Sequence, residues 1–369
     1  DSIGTMFDRR LVQNFDWGLL GLTLALATIG IAMIYSAANA GAGAHPSNLH
    51  VKQLVWYGIG LTFMTACFLF NYKQLDAYAL WIYVACVGLL VIVLFFGKAA
   101  GGSRRWISLG PLSLQPSELI KIAVIIMLAQ YYSRRLTSDG LTFGMLLAPM
   151  AIVLIPCLLI AKQPDLGTAG VVVLIAGSMT LFVKIERRTL IALILSGMAA
   201  IPIGWSLLKP YQKQRILTFF DPDRDPLGAG YHIIQSKIAI GSGLTTGKGY
   251  LNGTQNALAF LPEQHTDFIF SVLAEEWGFM GAAPVAALFL AFLLYGVNIA
   301  YHCRDPFGAI LTIGIVALVF WEAFINIGMV MGILPVVGMP LPFISYGGSS
   351  TLTLMIAVGL MLNVSMRRY

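Results

Sequence analysis

Charged side chains are scarce in this chain of 369 residues: only 11% are charged, whereas 58% are hydrophobic. A soluble domain typically carries about 25% charged residues. The mean hydropathy is +0.80, and long apolar runs recur along almost the whole chain. This composition excludes an ordinary soluble enzyme and predicts an all-α polytopic membrane protein with a single helical domain.

Cysteine and histidine are also few, with four and five copies in the chain. The cysteines lie in apolar runs or at the end of one, without paired spacing, and the histidines are scattered. Because Cys-x-x-Cys pairs and Cys/His clusters are lacking, neither a disulfide nor a metal site is expected. The net charge of +6 reflects loop topology in such a protein, so a nucleic-acid partner is not expected.

A cleavable signal segment is not expected either, because the first apolar run is long and no small-residue cleavage site follows it. Residues 1–5 precede Met6 and are interpreted as a remnant outside the native chain. The single transmembrane domain is therefore expected to occupy 6–369.

The apolar runs predict ten transmembrane helices, with one large loop at about 209–267 between the seventh and the eighth. The predicted spans are 18–37, 54–71, 78–97, 117–133, 142–161, 167–184, 188–208, 268–300, 308–331 and 346–366.

Lysine and arginine placement predicts the orientation of these spans, because cytoplasmic loops carry more of both. With both termini in the cytoplasm, the short outer loops hold only Lys52, Lys98, Arg104, Arg105 and Lys162. The cytoplasmic group is larger: Arg9, Arg10, Lys73, Arg134, Arg135, Lys184, Arg187, Arg188, Arg304, Arg367 and Arg368. Every unusual polar segment then faces outward, where ATP is unavailable.

Lys121 lies about one turn inside the fourth predicted helix, after "QPSE". A lysine inside a membrane helix costs about 2.5–3.5 kcal/mol at the centre and less near the ends. It therefore needs a partner or a cavity. Glu118 shares its helix face, and Asp165 of "KQPDLG" lies at a similar predicted depth, so an ion pair with either is expected. A purely structural pair or a lysine reaching to the interface is an equal alternative.

The segment "GSRRWISLG" places Arg104, Arg105 and Trp106 just outside the membrane. Adjacent arginines suit bidentate phosphate binding, and a tryptophan can stack on a sugar or lie along a lipid. Interfacial aromatic residues and single arginines are ordinary in membrane proteins, so this segment alone favours a plain interfacial role.

The large loop is a functional indication by its length alone, because structureless loops this long are uncommon in compact domains. Within it, "YHIIQSKIAI" predicts an amphipathic helix lying on the membrane surface. Lys213, Arg215, Lys237 and Lys248 make the loop basic. "GSGLTTGKGY" lacks the spacing of a phosphate-binding loop and is interpreted as a glycine-rich hinge.

The stretch "FLPEQHTDFIFSVLAEEWG" places Asp267 where the loop enters the eighth helix, with Glu263 and His265 just before it. Burial raises the pKa of a carboxyl group, and a raised pKa suits a general base near neutral pH. The alternative is that Asp267 caps the helix.

Glu275 and Glu276 lie deeper in the same helix and must face the bundle or a water-filled cavity. A buried pairing with Lys121 or with backbone groups is the preferred interpretation. Taken together, the residues favour an enzyme that acts on a lipid-linked anionic substrate. A transporter or lipid flippase is the rival, and a non-catalytic membrane scaffold is the third possibility.

Seven motifs carry a resemblance to the SEDS family (shape, elongation, division and sporulation), which extends over the chain after Met6. They are "RRWISLG", "LQPSELIKIA", "QPDLGT", "DPLGAGYHIIQSKIAIGSG", "GKGYLNGTQ", "FLPEQHTDFIFSVLAEEWG" and "NIGMVMGILPVVGMPLPFISYGGSS". Leu244 departs from the more usual double glycine after "GSG".

The resemblance implies a peptidoglycan glycosyltransferase of the bacterial cytoplasmic membrane, which polymerises lipid II into glycan strands on the outer face during cell elongation. The family's essential aspartate matches Asp267, its important tryptophan Trp106, and its lysine–aspartate pair Lys121 and Asp165. The implied partners are a lipid-linked glycan strand and a class B penicillin-binding protein, a transpeptidase of the elongation complex. Flipping of lipid II remains the alternative.

The expected mechanism has Asp267 as the general base for an inverting transfer that releases undecaprenyl diphosphate. Arg104, Arg215, Lys237 or Lys121 are expected to offset the charge that develops on the diphosphate. Glu118, Asp165, Glu263, His265 and Trp106 complete the expected substrate-binding set. A divalent cation, Mg²⁺ or Mn²⁺, would be compatible, although no motif demands one.

Overall fold

The computed structural model describes residues 15–40, 48–100, 103–109, 112–135, 140–221, 228–258, 260 and 263–367. This part of the chain is mostly helical. Its helices are α1 Trp17–Asn39, α2 Leu49–Leu69, α3 Lys73–Phe96, α4 Pro116–Ser133, α5 Phe143–Lys162, α6 Leu166–Phe182, α7 Arg187–Leu207, α8 Pro210–Phe220, α9 Ala229–Gly243, α10 Thr254–Ala257, α11 Ile269–His302, α12 Pro306–Val330 and α13 Gly348–Met366. Its strands are β1 Lys98–Ala100, β2 Ser103–Leu109 and β3 Leu112–Leu114.

Seven of the described helices are long and apolar enough to cross a membrane: α1, α3, α5, α7, α11, α12 and α13. The prediction of a polytopic helical membrane protein is thereby confirmed. The other three predicted segments also form helices, α2, α4 and α6, but α6 has only 17 residues. In α4, the charged Glu118 and Lys121 interrupt the apolar sequence.

A small antiparallel sheet, in the order β1-β2-β3, departs from the all-α prediction. Lys98 pairs with Trp106 and Ile107 with Leu114. β1 and β3 have three residues each, and the sequence of β2, "SRRWISL", does not alternate regularly between polar and apolar residues, so the pattern did not predict a strand. The sheet connects the end of α3 to the start of α4 and so fixes Arg105 and Trp106 beside both helices.

The core lies around α4, α12 and α13. In α13, 94% of the most apolar stretch is buried, compared with 6% in α7. Gly359 of α13 lets α2 approach closely, because a Cβ there would lie 2.9 Å from the carbonyl oxygen of Met64. By contrast, α7 is peripheral and leaves an apolar groove of about 500 Å³ between α5, α6 and α7.

The large loop between α7 and α11 contains α8, α9 and α10. The helix predicted at "YHIIQSKIAI" is present as α9, but its apolar face covers protein. Ile233 is buried, and the hydroxyl of Ser236 lies 2.9 Å from that of Ser271 in α11 and 2.7 Å from the carbonyl of Val330 in α12. The predicted helix is therefore confirmed, and hydroxyl bonds and packing attach α9 to α11 and α12, contacts that the prediction of a helix on the membrane surface did not include.

Candidate functional site

Asp267 lies in the turn before α11, and its side chain does not cap that helix. The N-cap residue is Phe268, which makes no side-chain capping bond. The amide of Asp267 donates to the carbonyl of Glu263 at 3.1 Å. The capping alternative is therefore wrong, and the half-buried carboxylate is left facing the cavities described below.

The backbone of this turn is held from two sides. The buried amide of Asn326, in α12, donates to the carbonyls of Asp267 at 2.9 Å and Met339 at 2.6 Å. The hydroxyl of Ser345 donates to the carbonyl of Thr266 at 2.6 Å. These bonds hold the turn that carries the carboxylate. The sequence showed that Asn326 and Ser345 are polar residues in an apolar region, but not that they bind this turn.

The pKa of Asp267 is raised from its ordinary value to about 6. Burial is the largest cause, and the negative charges of Glu263 and Asp165 add to it. The hydrogen bond with Thr266 and the positive charge of Arg215 act in the opposite direction. The carboxylate is thus ionised at neutral pH while remaining a better proton acceptor than an ordinary aspartate.

Gly338 lies directly against the carboxylate of Asp267. Its φ of +72° is in the left-handed region, and a Cβ there would lie 3.3 Å from Oδ2 of Asp267. Both conditions favour glycine. The glycine in "VVGMP" is visible in the sequence, but the sequence does not indicate that it contacts Asp267.

Two cavities meet at Asp267. The larger, of about 600 Å³, is lined by Lys209 and Arg215 among other residues. The smaller, of about 370 Å³, is lined by Trp106 and Tyr346 and by further polar groups. The polar lining residues of the smaller cavity include Gln115, Glu118, Thr168, Glu263, Thr266, Ser349 and Ser350. One cavity is therefore basic, and the other is aromatic and acidic.

Arg105, Asp165, Asp267 and Gly338 line both cavities and form their shared wall. The guanidinium of Arg105 lies 3.6 Å from the carboxylate of Asp165. It also donates to the carbonyls at positions 163 and 164, at 2.9 and 2.6 Å. Asp165 in turn caps α6 by accepting from the amide of residue 168 at 3.3 Å. The wall is thus anchored to a helix start.

Lys121 pairs with two glutamates rather than with Asp165. Its ammonium lies 2.8 Å from Glu118 and 2.5 Å from Glu322 of α12. All three side chains are buried. The pairing with Glu118 is confirmed, whereas the pairing with Asp165 was wrong because Arg105 takes that partner.

Glu275 and Glu276 are buried in α11, as predicted, but Lys121 is not their partner. Glu275 accepts from the ammonium of Lys248 at 2.6 Å and from two loop amides. Glu276 accepts from the hydroxyl of Ser36 in α1. The predicted pairing with backbone groups is therefore confirmed for Glu275. Its cationic partner is Lys248 of the large loop, not Lys121.

The remaining predicted residues divide between the cavities and other positions. Arg215 lines the larger cavity. His265 bonds through its carbonyl to the amide of Tyr346 at 2.9 Å, and burial lowers the pKa of its ring. Lys237 lies against Gly332 at the end of α12. Arg104 belongs to β2, and its side chain lies outside the described residues.

Comparison with known proteins identifies relatives that match almost the full length of this chain. The model of a cell cycle protein family that comprises FtsW, RodA and SpoVE matches residues 17–369. The peptidoglycan glycosyltransferase MrdB of Escherichia coli is 41% identical over 358 residues, which cover 96% of this chain and 94% of that protein. The peptidoglycan glycosyltransferase RodA of Treponema pallidum is 36% identical, with 97% and 99% covered.

Two solved structures share the fold. One, described as the structural coordination of polymerization and crosslinking by a peptidoglycan synthase complex, has a TM-score of 0.81 at 32% identity. The other, the rod shape determining protein RodA of Thermus thermophilus, has a TM-score of 0.70 at 27% identity. Each covers 96% of this chain and is itself 98% covered. The chain belongs to the FtsW, RodA and SpoVE family of cell cycle proteins, the family that the SEDS motifs indicated.

Proposed function

We propose that this bacterial membrane protein is a peptidoglycan glycosyltransferase that polymerises lipid II, with Asp267 as the general base. The observation that carries the proposal is the carboxylate of Asp267, which has a raised pKa and lies where two cavities of different chemistry meet. The curated relatives MrdB and RodA support the reaction class.

In the proposed reaction, Asp267 accepts the proton of the 4-hydroxyl of the acceptor sugar. The freed oxygen attacks the anomeric carbon of the donor. A new glycosidic C–O bond forms as the bond from that carbon to the diphosphate breaks, with inversion. The electron pair leaves on undecaprenyl diphosphate, and the proton remains on Asp267 until solvent removes it.

The two cavities suit the two substrates. The larger holds Arg105, Lys209 and Arg215, which would bind the donor's diphosphate and stabilise the charge of the leaving group. The smaller offers Trp106 and Tyr346 as apolar faces for a sugar, together with carboxylates that accept bonds from hydroxyl groups. Asp267 lines both cavities, so its carboxylate can accept the proton from an acceptor hydroxyl that faces the donor's anomeric carbon.

The described residues contain no group of three or more His, Cys, Asp or Glu side chains placed to hold a divalent cation. In this proposal, the basic side chains that line the larger cavity carry the charge compensation. Mg²⁺ or Mn²⁺ would have to take ligands from the diphosphate itself.

The proposed topology has ten spans, both termini in the cytoplasm, and the Asp267 cavities on the outer face of the cytoplasmic membrane. The proposed partner is a class B penicillin-binding protein, a transpeptidase. The support is the solved peptidoglycan synthase complex, whose description joins polymerization to crosslinking.

A lipid II flippase is the second candidate, favoured by the buried Glu118–Lys121–Glu322 cluster inside the bundle. One assay separates the two functions. Purified lipid II is supplied to the detergent-solubilised protein with and without the transpeptidase, and the parent is compared with Asp267→Asn. We expect polymer from the parent and none from an equally folded variant.

Equal polymer from both proteins would eliminate Asp267 as the base. No polymer from the parent even with its partner, together with movement of lipid II across vesicle membranes, would favour the flippase.

A further inference from the structure

Helix α11 is broken at Gly278, and the loop after α9 fills the break. The φ of Gly278 is +63°, outside the helical region. The carbonyls of Glu275 and Glu276, freed by the break, accept from the amides of Lys248 and Gly249 at 3.0 and 2.9 Å. On the other side of the break, two amides donate to loop carbonyls at 2.9 Å each, Phe279 to Leu244 and Met280 to Thr245.

The carboxylate of Glu275 adds a second connection to the same loop. Its Oε1 accepts from the ammonium of Lys248 at 2.6 Å and from the amides of Thr254 and Gln255 at 2.9 and 3.1 Å. The hydroxyl of Thr254 also lies 3.0 Å away. We call these four residues the Glu275 clasp. Glu275 has no exposed surface, whereas Lys248 and Thr254 reach the surface, so the clasp is a charge-assisted junction around one buried carboxylate.

The loop fits against α11 without spare room. A Cβ on Gly253 would lie 3.1 Å from the second oxygen of Glu275, and a Cβ on Gly247 would contact the carbonyl of Glu276. Such packing has few intermediate arrangements. The loop and residues 269–277 are therefore expected to move together.

Residues 269–277 begin two positions after Asp267, and α9 is attached to them through the bond between Ser236 and Ser271. Because the helical bonds stop at Gly278, the rest of α11 does not dictate the direction of 269–277. Asn326 and Ser345 hold the turn before this segment, and the loop adds a constraint at its other end, next to Gly278.

We propose that Glu275 is a positioning residue for glycosyl transfer: its clasp sets the angle at Gly278 and thereby holds Asp267 between the two cavities. The proposal rests on the function assigned to Asp267 above. It gives the buried carboxylate of Glu275 a role separate from substrate binding.

The test uses Glu275→Gln, Lys248→Met and the double variant in the full-length protein. Asp76→Asn is the matched control, because it removes a carboxylate charge from the separate Asp76–Arg134 pair. Polymerisation of purified lipid II is measured as a function of pH. Amide hydrogen exchange is measured in parallel for 263–277 and 280–302.

We expect kcat to fall about 10- to 100-fold, the cost of displacing a catalytic group by about an ångström. The rise of the polymerisation rate on the acidic side of the pH–rate profile (the acid limb) should move to lower pH. A displaced Asp267 is better hydrated, and hydration lowers the pKa of its carboxyl group. Exchange should rise in 263–277 and stay at the parent level in 280–302. The double variant should be no worse than the more affected single variant, since all three lose the same pair, and Asp76→Asn should match the parent.

Parent-like rates with parent-like exchange in 263–277 would overturn the proposal. So would exchange that rises throughout the chain while the acid limb stays in place, because that pattern belongs to a residue that only stabilises the fold. Absence of polymer from the parent would instead remove the proposed function, and the exchange of 263–277 would still decide whether the clasp holds that segment.

Discussion

At Asp267, neighbouring groups act on one carboxyl in opposite directions. Burial and the charge of Glu263 raise its pKa, and Arg215 lowers it, with a result of about 6. The group must be ionised to accept a proton. Polymerisation should therefore rise with pH through about 6 and level off above it.

Glu263→Gln should move that acid limb to lower pH. Removing the negative charge of Glu263 makes ionisation of Asp267 easier, so its pKa falls and the active form persists in more acidic solution. The measurement is the pH–rate profile of lipid II polymerisation. The control is Glu186→Gln, which removes a carboxylate just before α7. A limb that stays in place in Glu263→Gln would show that Asp267 is not the titrating group.

Gly338→Ala should both strain the backbone and crowd the base. A φ of +72° costs a non-glycine residue about 1–2 kcal/mol, and the new Cβ would lie 3.3 Å from Asp267. We expect a lower Tm in detergent and a lower kcat. The control is Gly197→Ala in α7, where a Cβ would meet nothing within 4 Å, so Tm should stay level or rise. Equal behaviour of the two variants would contradict this account.

Among the elements, α4 carries a buried cation that pairs with a residue distant in sequence. Lys121 is held by Glu118 of its own helix and by Glu322 of α12. A buried cation balanced by two carboxylates leaves an uncompensated charge when the cation is removed.

Lys121→Met should therefore lower the free energy of unfolding by about 3–5 kcal/mol. Arg134→Met, which breaks the exposed pair with Asp76, should cost at most about 1 kcal/mol. Thermal unfolding in detergent compares them. Adding Glu322→Gln to Lys121→Met should restore part of the loss, since one buried charge is then removed. A further loss in that double variant would argue against charge imbalance as the cause.

The elements also show how far the sequence could predict this structure. Helical periodicity sufficed for the Lys121–Glu118 pair, because both residues lie on one helix. The pairing of Lys121 with Glu322 could not be predicted from the sequence, because α12 could pack against α4 in many ways. The break at Gly278 was hidden as well, because hydropathy averages over a window that a single positive φ does not change.

For the whole molecule, hydropathy predicted the helices and the motifs indicated the family. Neither predicted which residues lie together around the two cavities at Asp267. Trp106, Asp165 and Asp267 come from separate connections and meet only after the bundle has formed. Sequence therefore named several of these residues without the geometry that divides them between two cavities.

The proposed orientation can be tested on the intact molecule. In a background with the native cysteines replaced by serine, Glu263→Cys should react with a membrane-impermeant maleimide added to intact cells. Arg187→Cys, at the start of α7, should react only after permeabilisation. The reverse pattern would place the Asp267 cavities in the cytoplasm and exclude polymerisation on the outer face.

The wall formed by Arg105, Asp165, Asp267 and Gly338 has a pharmacological consequence. In the proposed reaction, each cavity holds one lipid-linked substrate, so a compound with one anionic and one sugar-like head could bridge the wall and compete with both. Its second head would bind at the high effective concentration set by a short linker. A substitution in the wall that prevented the compound from binding would change the proposed base, a residue that holds it in place or a residue that binds the diphosphate. Such a resistance mutation should therefore also abolish polymerisation.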